Sequence, residues 1–310
     1  MKKHVDPPLA EKSRIIAGET FKRYLQQSGY RPSTISGHLM NVGYFIEWLE
    51  KNGGHEIENV HYNDLLNYVQ HEQRRNVNVA TVNLRLGSIS KYFDYLKQAD
   101  DSITYNPARN LRIKGKAKTV VEQPLKCEEL EGLYSAYKSL KKETLHQAKT
   151  NLVHERNIVI VGLLVWQGLH SGELQKLEIS HINLNEGTIY IPSTARSNNR
   201  ELRLSTPQIL SLHHYIYQTR EKLGPKEEEL IPGNVRNILN LLVEELKAFN
   251  PKIKNALHIR ASVILHWLRG HGKRQVQYMC GHRHISSTER YEVQEMESLT
   301  QALSKHHPFG

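Results

Sequence analysis

The chain has 310 residues, 42 of them Lys or Arg against 32 Asp or Glu, giving a formal net charge of +10 with its 18 His neutral. That length suits two domains with a substantial core, and the positive balance favours nucleic acid or another anionic surface as partner. Two cysteines, Cys127 and Cys280, argue against a disulfide-built secreted scaffold, and neither a signal-peptide core nor a bilayer-length apolar run is present, the longest being Ile158 to Trp166. A cytoplasmic protein without a membrane partner is expected.

In chain order, residues 1–18 read as a polar, flexible arm, and helical character starts near Glu19. Pro32-Ser33-Thr34 opens a helix whose apolar positions Ile35, Leu39, Val42, Ile46 and Leu49 keep 3,4 spacing until Asn52-Gly53-Gly54 stops it. A shorter helix over Asp64 to Gln73 follows, then a second amphipathic stripe of Val79, Val82, Leu86, Ile89, Phe93 and Leu96. These elements predict a small all-α domain over 19–104.

Residues 105–123 read as an extended basic linker. Its cations Arg109, Arg112, Lys114, Lys116 and Lys118, with no acidic residue between Asn106 and Lys118, form either a solvated charge run or a track along a phosphate backbone; the second reading is preferred between two domains of a basic protein. The second domain, 124–297, opens with helices near Cys127–Lys141 and Val153–Gln167, the latter apolar enough to be deeply buried. Thr188–Ile191 and Glu201–Leu204 then predict a β-hairpin with Arg196 and Arg200 at its tip, where Arg200 is expected to join the linker cations on a phosphate backbone. Helical character returns at Pro207, at Ile238 to Phe249 and after Leu257, and residues 298–310 form a tail. The fold class is mainly α with one small β element.

Two residues stand out near the end. Arg260 shares a helical stripe with Val263, Ile264 and Trp267, and a guanidinium on a core-facing stripe needs an anionic partner: an internal carboxylate or a phosphate. Tyr291 follows a helix start in which Ser286 and Glu289 have capping-box spacing. It lies roughly 140° from the stripe of Val293, Met296, Leu299 and Leu303, pointing away from the face that docks that helix.

Arg260, Cys280-Gly281-His282 and Tyr291, with Gly168-Leu169-His170-Ser171-Gly172-Glu173-Leu174 upstream, resemble the motifs of tyrosine recombinases, the phage-integrase and Xer group. The resemblance spans about residues 19–300 and implies a helical core-binding domain, a basic linker and a catalytic domain. It implies a site-specific recombinase that cleaves and rejoins double-stranded DNA through a 3′-phosphotyrosyl link, with no metal or nucleotide cofactor. The working form implied is a homotetramer on two paired sites, serving a mobile element or phage. By position, Tyr291 is the nucleophile, Arg260 the second family Arg and His282 the late His, which handles protons and orientation.

The sequence departs from the pattern at several places. His170 stands where the family has its first Arg, and Leu257 where it has a His or Lys. The hairpin Lys has no counterpart; Arg196 is the nearest stand-in, with Arg200 the competing alignment, and an Arg is a poor general acid. His258 lies about 200° around a helix from Arg260, so it replaces the missing His only if that segment is not helical. Lys176 and Arg203 are further cations that stand in for the first Arg by charge alone. These departures motivate the alternative of a DNA-binding protein that kept the fold and lost the chemistry. The grouping of Cys280, His282 and His284 with His266 and His271 lacks zinc-ligand spacing and is read as structural, so no metal site is expected.

Overall fold

A computed structural model describes residues 9–52, 56–99, 103–115, 123–140, 147–226 and 228–292. The chain divides into two compact units, Met1–Ala117 and Lys118–Gly310.

The first unit is built on α1 (Leu9–Gln27), α2 (Pro32–Asn52), α3 (Tyr62–Arg74) and α4 (Val79–Ala99). α1 starts at Leu9, well ahead of Glu19, so the arm expected over 1–18 is helical from Leu9 onward; residues 1–8 lie outside the described residues. Pro32 opens α2, a position where the missing N–H has no helical acceptor to lose. Asn78 accepts the Ala80 N–H at 2.9 Å ahead of α4, and Asp64 accepts the His61 N–H at 2.8 Å at the start of α3. The apolar stripes become the core in two clusters: Leu49 packs with Val82, Leu86, Ile89 and Phe93, joined by Phe45, Leu65 and Tyr68, while Ile35 and Val42 pack with Phe21, Leu25 and Tyr92. Glu72 is buried there too, held by Arg85 and Arg75.

The first part of the expected linker is bound to this unit. Asn106 donates to Ser90 O and to Asp94 Oδ1, both at 2.8 Å, while its own Oδ1 accepts the Ala108 N–H at 2.9 Å. Farther on, Asn83 and Ile113 exchange two bonds of 2.9 Å. Leu111 and Ile113 thereby face the core while Arg112 and Lys114 alternate outward, so residues 105–115 are a docked strand of chain rather than a free tether. Arg109 is exposed and meets Asp94 at 3.3 Å. Lys116 and Lys118 lie outside the described residues, as does the tail over 298–310.

The second unit runs α5 (Cys127–Ser139), α6 (Gln147–Val165), α7 (Ser171–Leu174), β1 (Ile182–Asn183), β2 (Thr188–Ile191), β3 (Arg200–Arg203), α8 (Thr206–His214), α9 (Val235–Phe249), α10 (Ala256–Gly270) and α11 (Lys273–Cys280). A last helical segment covers 286–292. The sheet has antiparallel order β1-β2-β3, with Ile191 opposite Arg200 and Thr188 opposite Arg203. α6 is apolar all round from Ile158 to Val165 because it runs through the middle of the core, against α5, α8 and α10. Three elements escape the sequence patterns, the four-residue α7 among them. β1 is only two residues long, and α11 buries just Val276 and Cys280.

Candidate active site

The site grows from the turn after α6. Gly168 takes φ +56°, a left-handed conformation that glycine adopts without steric cost, and an added Cβ there meets Val263 of α10 at 3.3 Å. His170 and Glu173 then close a capping box at the start of α7. The His170 N–H donates to Glu173 Oε2 at 3.0 Å, and the Gly172 N–H donates to His170 Nδ1 at 3.0 Å. Since Nδ1 accepts, neutral His170 carries its proton on Nε2. That Nε2 lies 3.6 Å from Glu173 Oε1 and has no hydrogen-bond partner among the described residues.

Arg260, one turn into α10, answers the question its stripe posed: its partners are internal. It donates to Gly168 O and Glu173 Oε2 through Nη1, the latter at 3.2 Å, and to Cys280 O through Nη2 at 2.7 Å. Its side chain keeps 8% exposure where that of Arg200 keeps none, so Arg260 is fixed in place without being wholly enclosed. Burial raises the Glu173 carboxyl's affinity for a proton, but the bond and charge of Arg200, with the charge of Arg260, outweigh it and hold the group at about 2.

Arg200 corrects the sequence reading. Expected at the hairpin tip on DNA, it is the first residue of β3 with its side chain wholly buried, donating to Glu173 Oε1 at 2.7 Å and to Met279 O at 2.7 Å. It reaches past Gly281, whose φ is +68° and where an added Cβ falls 2.5 Å from Arg200 Nη1 and 2.9 Å from Asn198 O. The Asn198 N–H donates to Gly281 O at 2.8 Å, tying the hairpin loop to the corner after α11. Gly281→Ala is therefore expected to lower stability by about 1–3 kcal/mol from backbone strain alone, with the crowding added, as read by denaturant unfolding. A loss within error of zero contradicts this geometry.

The corner delivers His282, and the segment over 286–292 delivers Tyr291. Thr288 is buried and bonds His282 Nδ1 at 2.8 Å, leaving the imidazole's Nε2 edge without a hydrogen bond to described residues. One turn later the Tyr291 ring stacks on His282, centroids 6.1 Å apart at 15°, and packs on Ala261, Leu265 and Cys280. Tyr291 thus lies inward against α10 and α11 of its own chain; Val293 and Met296, the stripe it was expected to oppose, lie outside the described residues. Burial raises the Tyr291 phenol above its ordinary range, partly offset by Arg260. Burial, then the charges of Arg260 and Arg200, push the His282 imidazole down to about 4, and burial pushes the Cys280 thiol up to about 12.

His282 is therefore neutral in the protein alone at pH 7. Because its folded value lies below the ordinary 6.5, the unfolded chain takes up the proton first. The stability from its neutral burial is complete above about pH 6.5 and declines as pH falls toward 4. NMR of the DNA-free protein is expected to show no His282 titration between about pH 7.5 and 5.5. A midpoint near 6.5 contradicts the packing.

The remaining predicted residues separate. Arg196 is exposed on the hairpin loop, which is braced by Thr194, Ser197 and an Arg283 bond of 2.8 Å to Thr194 O. Lys176 donates to Ser193 O at 2.9 Å on that loop, while Arg203 is exposed on β3. Leu257 is 65% exposed; His258 is helical and buried, with Nε2 against Gln123 O at 3.2 Å, so it does not replace the missing His. Arg109, Arg112 and Lys114 belong to the first unit. No group of three or more His, Cys, Asp or Glu among the described residues is placed to hold a metal ion. Nor is any helix among them long and apolar enough to cross a membrane. Sequence reasoning missed Thr288 and the shared carboxylate of Glu173, for which the capping-box spacing from His170 is the only local signal.

A family model described as phage integrase, N-terminal SAM-like domain matches residues 19–100, and one described as phage integrase family matches residues 123–298. Tyrosine recombinase XerC of Anoxybacillus flavithermus is 25% identical, covering 93% of this chain and 96% of its own. Among solved structures, XerH site-specific recombinase bound to palindromic difH substrate aligns with a TM-score of 0.69 at 20% identity, covering 87% of this chain and 79% of that one. The Tn1549 transposon integrase in complex with transposon right end DNA aligns with a TM-score of 0.64 at 17% identity, covering 92% and 99%. Fold and site together define the two-domain architecture of a tyrosine recombinase. The chain belongs to the phage integrase family.

Proposed function

We propose that this protein is a site-specific DNA recombinase that cuts and rejoins strands through Tyr291. The Tyr291 oxygen attacks the scissile phosphorus, the bond to the 5′ oxygen breaks, and a 5′-hydroxyl leaves with a proton. A 3′-phosphotyrosyl link remains, and another strand's 5′-hydroxyl reverses the step, so the phosphodiester energy is retained. Arg260, held by three internal acceptors and still 8% exposed, balances charge on the non-bridging oxygens as a preorganised donor does. His282, neutral and anchored through Thr288, offers Nε2 for orientation and proton handling, while His170, its Nε2 buried beside Glu173, orients that carboxylate. Arg196 serves the hairpin position by charge. The single observation that carries the reading is Tyr291 stacked on His282 and packed on the helix that holds Arg260.

Double-stranded DNA is the partner, met by Arg109, Arg112, Lys114, Lys116 and Lys118 mainly through phosphates, so affinity falls steeply with salt. Four copies on two paired sites form the working complex, acting in the cytoplasm on the ends of a mobile element. The test uses a nicked duplex bearing the element's own end, which traps the intermediate on denaturing gels; proteolysis and mass spectrometry then locate the nucleotide. Attachment at Tyr291 is the expected result. Specific binding without any covalent band favours a DNA-binding protein that has lost the chemistry.

A further inference from the structure

We infer that Arg200 is a positioning residue that keeps the phosphate site positively charged, by occupying one oxygen of Glu173 that otherwise turns to Arg260. The inference rests on the recombinase reading above. Glu173 is shared between two guanidiniums. Oε1 takes Arg200 Nη1 at 2.7 Å, while Oε2 takes Arg260 Nη1 at 3.2 Å and the His170 N–H at 3.0 Å. The shorter charge-assisted bond goes to the cation whose side chain is 0% exposed and has no access to a phosphate. The longer one goes to Arg260, whose side chain keeps 8% exposure.

With His170 and His282 neutral, this group holds two guanidiniums and one carboxylate, leaving one positive charge in surplus. Without Arg200 the surplus disappears. Glu173 then neutralises Arg260, and the position where the family carries another Arg holds only the neutral His170. Arg200 thus restores, from a buried position, charge that the substitution at His170 removed. Its Nη2 is buried without a partner among the described residues, so no second carboxylate there quenches it.

The test compares adduct formation on two nicked duplexes, one with an ordinary scissile phosphate and one with an uncharged methylphosphonate there. Arg200→Lys, Arg200→Met and the double variant Arg200→Met, Glu173→Gln are measured beside wild type, with DNA binding and thermal unfolding as controls. Arg200→Met is expected to lose on the order of 10²-fold on phosphate and less than about 10-fold on methylphosphonate, while Arg200→Lys stays within about 10-fold on both. The double variant, which loses both charges, is expected to regain about 10-fold or more over Arg200→Met on phosphate. Equal losses on the two substrates, or a double variant no faster than Arg200→Met, overturn the inference and leave Arg200 a strut. Wild type inactive on both substrates overturns the recombinase reading and this inference with it.

Discussion

Glu173→Ala is expected to destabilise the second unit by about 3–5 kcal/mol, the largest effect of any single substitution at the site. Its carboxylate is fully buried and bonds Arg200, Arg260 and the His170 N–H. Removing it leaves two guanidiniums facing each other in a water-poor pocket, their remaining bonds being to main-chain carbonyls. Neither can shed its proton, so the repulsion has no chemical escape. Arg200→Met is expected to cost less, because Glu173 keeps Arg260. Denaturant unfolding followed by Trp166 and Trp267, both packed against this unit's core, reads the change. A loss under about 1 kcal/mol means the carboxylate is not the hub that the geometry makes it. The linkage has a definite sign: Glu173 sits at about 2 in the fold against an ordinary 4.5, so its stabilisation is complete above 4.5 and is lost as pH falls through about 2.

Tyr291→Phe is expected to abolish the covalent DNA adduct, at least about 10³-fold, while leaving stability and DNA affinity close to wild type. The phenyl ring keeps the stack on His282 and the packing on Ala261 and Leu265, and the hydroxyl makes no hydrogen bond with described residues. Only the nucleophile is lost. This separation makes the substitution more informative than Arg260→Ala, which strips three bonds from the core as well. In wild type the rate of adduct formation is expected to rise with pH, because burial raises the phenol and a larger fraction loses its proton as pH climbs. An adduct that survives Tyr291→Phe places the nucleophile elsewhere, Tyr278 at the edge of β3 being the next phenol to examine.

Much of this was legible in the chain. The 3,4 spacing of Ile35, Val42 and Leu49 and of Val82, Leu86, Ile89 and Phe93 determined which helical faces are buried. The apolar run from Ile158 to Val165 determined the central helix, and the alternation at Thr188–Ile191 the hairpin. Such signals are periodic over one element, and burying a periodic face is a local decision. Arg260 stood out on its stripe for the same reason, whereas the Gly281-His282 corner and Tyr291 were readable through their resemblance to the family's motif. Only the tertiary structure decided which charges meet. Glu173 contacts Arg200 across 27 residues and Arg260 across 87, and Arg200 contacts Met279 across 79. No periodicity links such positions, so an Arg beside a loop read as a surface cation although its side chain is buried against Glu173 and the Met279 carbonyl. Asn83 and Asn106 likewise carried no sign that they pin residues 105–115 to α4, because a side-chain amide finds its backbone partner only once the chain has folded against it.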